Sequence, residues 1–237
     1  MRMLCLAGGF GTRLKSVISD VPKALAPIGN VPFLYIQIEH WIAQGLRSFV
    51  FLLHHRADLI IAFLKNEQHG ILQGCEVQWL VEATPMGTGG AVAHAVRQLN
   101  ISGSFLVANA DTWLGTGTDK VGQAAPPAMA VVKVNDAGRY GAVQLDDRGN
   151  IIAFHEKSKR TGADWINAGL CHLESHQFQD WNQRPFSLEQ VSFPTLAAIG
   201  SLRAVALDTD FIDIGIPADY QKFCDWALKK NPKNNEF

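Results

Sequence analysis

Through the first half of the chain, short apolar runs alternate with longer amphipathic stretches. That is the rhythm of parallel strands joined by helices covering both faces of a sheet. Residues 3–6 form the first such run, which breaks into a glycine-rich segment. A helix is predicted from about Pro32, with Phe33, Leu34, Ile38, Trp41 and Ile42 on its apolar face. Pro32 suits its first turn and Gly45 its end. Strands are predicted over 49–53, 77–81 and 105–108. Helices are predicted over 59–64 and 91–99, the latter entered through a glycine-rich loop. This half reads as doubly wound α/β.

Beyond residue 114 the rhythm changes. Residues 128–134, 142–145 and 151–155 are strand-like, and Asp146-Asp147-Arg148-Gly149-Asn150 is a hairpin-turn signal between the last two. Further segments lie at 165–172, 202–207 and 211–214, with a helix over 188–199 and a terminal helix from Pro217. Residues 115–127 read as a connector too short to mark a domain boundary. No internal repeat interrupts the chain, so residues 1–237 are expected to form one domain, with a polar, frayed tail over 231–237.

Hydrophobic residues make up 47% of the chain and charged residues 18%, which excludes a disordered protein and supplies a core that needs no disulfides. The formal net charge of −1 gives no field to recruit nucleic acid or an anionic membrane, so any anionic ligand must be held by local donors. Cys5, Cys75, Cys171 and Cys224 are scattered without metal spacing and read as reduced thiols. No apolar run approaches the roughly 18 residues that span a bilayer, and the first residues lack a signal-peptide layout. The expectation is a soluble, cytoplasmic protein.

The candidate chemistry begins where the first strand ends. Leu6-Ala7-Gly8-Gly9-Phe10-Gly11-Thr12-Arg13-Leu14 places three glycines and an arginine in the loop beyond a strand's carboxyl end, where ligands bind in open α/β sheets. Glycines let backbone N–H groups approach a polyphosphate, and Arg13 adds a forked, permanent charge. A Walker loop would carry lysine and then serine or threonine after its last glycine, but Thr12 and Arg13 stand there. A dinucleotide fingerprint would carry a third glycine at Leu14. Ten residues on, Pro22 and Pro27 hold their segment extended and present Lys23. An isolated lysine in such a turn is usually only solvated.

Taken together, Gly8 to Leu14, then Pro22-Lys23 and Pro27, resemble the signature of sugar-1-phosphate nucleotidyltransferases, and later motifs follow in matching order along nearly the whole chain. The resemblance implies a Rossmann-like, three-layer α/β/α sandwich with a mixed, mostly parallel sheet. It further implies that residues 1–114 mainly bind nucleotide and 128–237 mainly bind the sugar phosphate. Leu6, Ala7, Gly8, Gly9, Gly11, Thr12 and Arg13 would cradle the nucleotide, with Arg13 and Lys23 catalytic. Glu82-Ala83-Thr84-Pro85-Met86-Gly87-Thr88 resembles the second nucleotide loop, with Glu82 toward the base and Gly87 and Thr88 offering backbone contacts.

Asn109-Ala110-Asp111 follows a strand, where a carboxylate can hold a hard cation, although a lone aspartate is more often a cap or turn former. The family usually carries glycine where Ala110 stands. Asp213, between Ile212 and Ile214, would be a costly unpaired charge if buried, and alternation can equally place it in solvent. The resemblance makes Asp111 and Asp213 the ligands of Mg²⁺. It assigns Asn109 to the nucleotide, and Tyr140, Gly141, Glu156, Lys157 and Asn167 to the sugar phosphate. Residues 13–17, Pro32-Phe33 and residues 211–217 most resemble the D-glycero-α-D-manno-heptose 1-phosphate guanylyltransferases, which implies GTP and that heptose as substrates. Uridylyltransferases acting on N-acetylmuramate or glucose 1-phosphate, and a non-catalytic regulatory subunit, are the alternatives. Oligomeric state is left open.

Overall fold

The computed structural model describes residues 1–155, 162 and 164–230. In chain order its strands are β1 (Arg2–Leu6), β2 (Pro27–Ile28), β3 (Val31–Pro32), β4 (Ser48–Leu53), β5 (Glu76–Val81), β6 (Ser104–Asn109) and β7 (Thr112–Leu114). They continue with β8 (Ala128–Val134), β9 (Ala142–Leu145), β10 (Ile151–His155), β11 (Asp164–Glu174), β12 (Arg203–Leu207) and β13 (Phe211–Asp213). The helices are α1 (Phe33–Ala43), α2 (Ala57–Asn66), α3 (Gly87–Gln98), α4 (Thr118–Gln123), α5 (Phe193–Ala198) and α6 (Pro217–Lys230).

One large mixed sheet runs in the order β10-β9-β11-β6-β1-β4-β5, and β8 adds to β11 and carries β12. Strands β6, β1, β4 and β5 are parallel, joined by the helical crossovers α1, α2 and α3. β11 then pairs antiparallel with β6 and brings in the second half. The central strands β1, β4 and β6 are apolar on both sides because both faces are covered. On β1 and β4, Met3, Cys5, Phe49, Phe51 and Leu53 pack with α1 and α2, while Leu4, Val50 and Leu52 pack with α3 and α5. A third apolar cluster seats α6 against Phe33, Trp113, Ile212 and Ile214. The result is the three-layer α/β/α arrangement anticipated from the sequence.

Chain order reverses around β1: β4 and β5 are laid down on one side, and α3 then returns the chain to place β6 on the other. Such a switch point opens a crevice at the carboxyl ends of its strands.

Four local expectations change. The segment between Pro22 and Pro27 is not extended throughout, since Lys23–Leu25 forms a 3₁₀ turn in which the Ala26 N–H donates to the Lys23 carbonyl. The stretch over 115–127 is no plain connector, since it contains the short helix α4, which buries Thr118 and Val121. The helix expected over 188–199 is divided. Leu188–Ser192 forms a wide turn in which the Phe193 N–H reaches the Leu188 carbonyl, and only Phe193–Ala198 is α-helical. Pro194 explains part of this, because it has no N–H to continue the ladder. Finally, Gly87 to Gly90 form the first turn of α3 rather than a loop before it.

Candidate functional site

Three adjoining hollows of about 370, 350 and 420 Å³ occupy the crevice, and Asp111 lines all three. Leu6, Ala7, Gly9, Gly11, Thr12, Arg13 and Lys23 line the first. Gly8, Glu82, Gly87, Thr88 and Asn109 line the second, together with Leu6 and Gly9. Tyr140, Gly141, Asn167 and Asp213 line the third, where Arg13, Gly87, Thr88 and Asn109 also reach. Every site residue expected from the sequence within the described region therefore faces this crevice. Glu156 and Lys157 lie outside the described residues.

The two aspartates meet through strand pairing. β6 and β7 are separated only by Ala110 and Asp111, and β13 pairs with β7 so that Asp213 lies opposite Thr112. The Ile214 N–H donates to the Asp111 carbonyl at 3.0 Å, and the Ala110 N–H to the Leu6 carbonyl at 3.1 Å. Ala110 is buried and keeps a negative φ, so the conformational freedom of glycine is not needed there. Gln37 of α1, 1% exposed, donates its amide to the Asn109 carbonyl at 3.3 Å and the Thr112 carbonyl at 2.7 Å, bracketing this turn. The sequence did carry a signal: Gln37 is a polar residue midway between Phe33 and Trp41 on an otherwise apolar stripe.

The Lys23 ammonium sits between the carboxylates, 2.6 Å from Asp111 Oδ2 and 3.4 Å from Asp213 Oδ1. Burial and the neighbouring Asp111 charge push the Asp213 carboxyl above the usual carboxylate range, against the opposing pull of Lys23, the Gly215 N–H and Arg13. This corner thus already accommodates a cation held by oxygen donors. Among the described residues no group of three or more His, Cys, Asp or Glu is arranged around a metal position. Two carboxylates with room for phosphate oxygens and water fit Mg²⁺, which is commonly held by one or two carboxylates plus substrate phosphates.

In the second hollow, Glu82 is 9% exposed; its Oε2 accepts from the Met86 N–H at 2.9 Å. Burial raises its carboxyl pKa, and the Met86 hydrogen bond opposes the shift. His54, given no role from the sequence, lines the same hollow and contacts the Glu82 carbonyl through Nδ1 at 2.9 Å. The amides of Gly89 and Gly90 in the first turn of α3 donate to the Phe186 carbonyl at 3.0 and 3.1 Å. Helix N-termini commonly bind anions, but at those two positions the amides are already paired with protein. A Cβ on Gly89 would lie 2.1 Å from the Phe186 ring, so this glycine serves close packing.

In the third hollow, the Asn167 Oδ1 accepts from the Gly169 N–H at 2.9 Å within an irregularity of β11, leaving the Asn167 NH₂ as a donor. Arg139 also lines this wall and donates to Asp219 Oδ2 at 2.6 Å and to the Tyr140 hydroxyl at 3.0 Å.

A glycine loop, a basic pair and a carboxylate pair at the switch point of a Rossmann-like sheet define a protein that handles nucleoside polyphosphates. More narrowly, the chain belongs to the nucleotidyl transferase family, whose description matches residues 2–220. It is similar to the D-glycero-alpha-D-manno-heptose 1-phosphate guanylyltransferase of Campylobacter jejuni, with 34% identity over 94% of this chain and 98% of that protein. Among solved structures, it is similar to HddC from Yersinia pseudotuberculosis complexed with GMP-PN, with TM-score 0.81 and 33% identity over 95% of this chain and 99% of that one. The inositol-1-phosphate CTP transferase from T. maritima, at 16% identity and TM-score 0.79 over 96% of this chain and 95% of that one, shares the fold. No helix among the described residues is long and apolar enough to cross a membrane.

Proposed function

We propose that this protein is an Mg²⁺-dependent guanylyltransferase that joins GMP from GTP to D-glycero-α-D-manno-heptose 1-phosphate and releases pyrophosphate. The observation that carries this reading is the meeting of three hollows at Asp111: one lined by the glycine loop and basic pair, one by Glu82, one by Tyr140, Gly141 and Asn167. Triphosphate, base and sugar each have a compartment, and the reacting phosphates lie at their junction. The family and the names carried by its similar members support the same choice.

A phosphate oxygen of the sugar 1-phosphate attacks the α-phosphorus in line. The bond from that phosphorus to the α,β-bridging oxygen breaks, and pyrophosphate leaves. The nucleophile is already anionic at neutral pH, so the chain needs no general base, and catalysis consists of positioning and charge neutralisation. Arg13 pairs with the β- and γ-phosphates from the rim of the first hollow, and Lys23 with the α-phosphate. Lys157 and Glu156 share with Tyr140, Gly141 and Asn167 the sugar-phosphate role assigned from sequence. Asp111 and Asp213 would hold Mg²⁺, which supplies neutralisation of phosphate charge when bound. Glu82 accepts from the N1–H and 2-amino groups of guanine, a donor pair that uracil lacks.

The test is pyrophosphate release by the purified protein with Mg²⁺, crossing GTP, UTP, CTP, ATP and dTTP against mannoheptose, mannose, glucose and N-acetylmuramate 1-phosphates. Release confined to GTP and the heptose is the expected result. Release with UTP and a different sugar would overturn the substrate assignment while keeping the chemistry.

A further inference from the structure

Glu189 is a carboxylate on the wall shared by the second and third hollows, and the chemistry above does not use it. It stands in the wide turn after Ser187 and reaches across to the first turn of α3. Its Oε2 accepts from the Thr88 hydroxyl at 2.6 Å and the Ser187 hydroxyl at 2.7 Å.

Neither hydroxyl is free to turn away. Thr88 Oγ1 accepts from the Leu188 N–H at 2.8 Å, and Ser187 Oγ accepts from the N–H groups of Glu189 and Gln190 at 3.1 and 3.2 Å. Both hydroxyl protons are thereby directed at one carboxylate oxygen. The backbone around them is fixed too, since the Phe186 N–H donates to the Met86 carbonyl at 2.9 Å and the Phe186 carbonyl caps Gly89 and Gly90. The Thr88 side chain, expected from sequence only as part of a nucleotide loop, is here a tether for Glu189.

This leaves a carboxylate held in one orientation with its second oxygen, Oε1, making no hydrogen bond and no ion pair among the described residues. A carboxylate only accepts hydrogen bonds, so its natural complement in a polar hollow is a ligand rich in O–H donors. Acceptors locked before binding lose little freedom when the ligand arrives, which is the arrangement expected of a residue that selects.

We infer that Glu189 is a specificity-determining residue of the sugar site: its Oε1 accepts a hydrogen bond from a ring hydroxyl of the sugar 1-phosphate, and Thr88 and Ser187 position it. The inference rests on the transferase reading above. The ribose of the nucleotide also carries hydroxyls, and Glu189 borders its hollow as well. The sugar is favoured because Ser187, the tether nearest in sequence, lines the third hollow with Tyr140, Gly141 and Asn167 and is absent from the second.

The experiment compares wild type, Glu189→Gln and Ser187→Ala in steady-state pyrophosphate release. It varies the sugar 1-phosphate, its C2, C3 and C4 monodeoxy analogues, GTP and 2′-deoxy-GTP, with thermal melts as a folding control. In Glu189→Gln the remaining amide oxygen stays with the two hydroxyls and an NH₂ replaces the free acceptor. A hydrogen bond to a charged group predicts a KM for the sugar 1-phosphate raised about tenfold or more, with KM for GTP within about twofold. One monodeoxy analogue should be a poor substrate for wild type and lose that handicap in Glu189→Gln. Ser187→Ala, which loosens one tether, should give an intermediate shift.

An unchanged sugar KM in Glu189→Gln overturns the assignment while the transferase reading stands. So does a change confined to GTP together with lost discrimination against 2′-deoxy-GTP, which would move the contact to the ribose. Absence of wild-type release with every nucleotide and sugar pair overturns the transferase reading, and the assignment with it. If Glu189→Gln fails to melt cooperatively, Ser187→Ala decides by the same criteria.

Discussion

Replacing Gln37 by methionine removes the amide that bridges the two carbonyls on either side of Ala110-Asp111 while keeping the side chain's length and volume. The bond to Thr112, at 2.7 Å, should contribute near the full net value of a neutral hydrogen bond, and the longer one to Asn109, at 3.3 Å, less. At about 0.5–1.5 kcal/mol per bond, plus part of the cost of leaving two carbonyls unsatisfied, the loss comes to roughly 2–4 kcal/mol. Methionine also removes the buried, unpartnered Gln37 Oε1, which offsets about 1 kcal/mol. The net cost of about 1–3 kcal/mol corresponds to a fall in Tm of roughly 2–12 °C for a chain of this size. Thermal melts followed by circular dichroism measure it. Turnover against Mg²⁺ concentration supplies the functional half: a loosened Asp111 raises the Mg²⁺ needed for half-maximal activity, while activity recovers at saturating metal. A Tm within about 1 °C of wild type, where even 1 kcal/mol should shift it by at least 2 °C, would refute the reasoning.

A Cβ on Gly215 would lie 2.7 Å from Asp213 Oδ1 and 2.9 Å from Lys23 Nζ, so Gly215→Ala should abolish most pyrophosphate release while leaving the melt nearly unchanged. For Glu82, burial raises the folded-state pKa above the unfolded one, so folding favours the protonated form. The resulting loss of stability begins as pH rises through the ordinary glutamate range and is complete above the folded pKa. Glu82→Gln should therefore melt like wild type at about pH 4 or below and higher than wild type near about pH 7, with weaker GTP binding; melts across that range check the sign. Ala110→Gly should leave turnover unchanged and lower stability by about 1–2 kcal/mol, because at this negative φ glycine adds only an entropic cost to the loss of a buried methyl. Urea unfolding measures the difference.

The parallel half of the fold was legible because residues 3–6, 49–53 and 105–108 are unbroken apolar runs, with only β5 interrupted, by Gln78. The glycine loop could be placed for the same reason: it begins where Leu6 ends β1. Pairing across the second half was less accessible. Nothing local says that Asp213 lies opposite Thr112, since that register depends on how β13 meets β7. The short helix α4 escaped notice because only Thr118 and Val121 of its six residues turn inward, too few to set up a period. Gly89 and Gly90 read only as part of a glycine-rich helix entry, and their role is set by Phe186, which arrives from a distant segment. Arg139 and His54 carry no motif that separates them from ordinary surface residues. Their place in the crevice comes from the ends of the elements that hold them.

The sheet changes from parallel to antiparallel pairing at the seam between β6 and β11, and the crevice straddles it. The walls therefore belong to separate stretches of chain. Side chains on the β9–β11 wall can be exchanged for others of different reach or polarity without re-registering β1, β4 or β6. A scaffold divided in this way lets acceptor preference drift or be re-engineered while the triphosphate chemistry is inherited intact. Asp111, common to all three hollows, is the position at which that freedom ends.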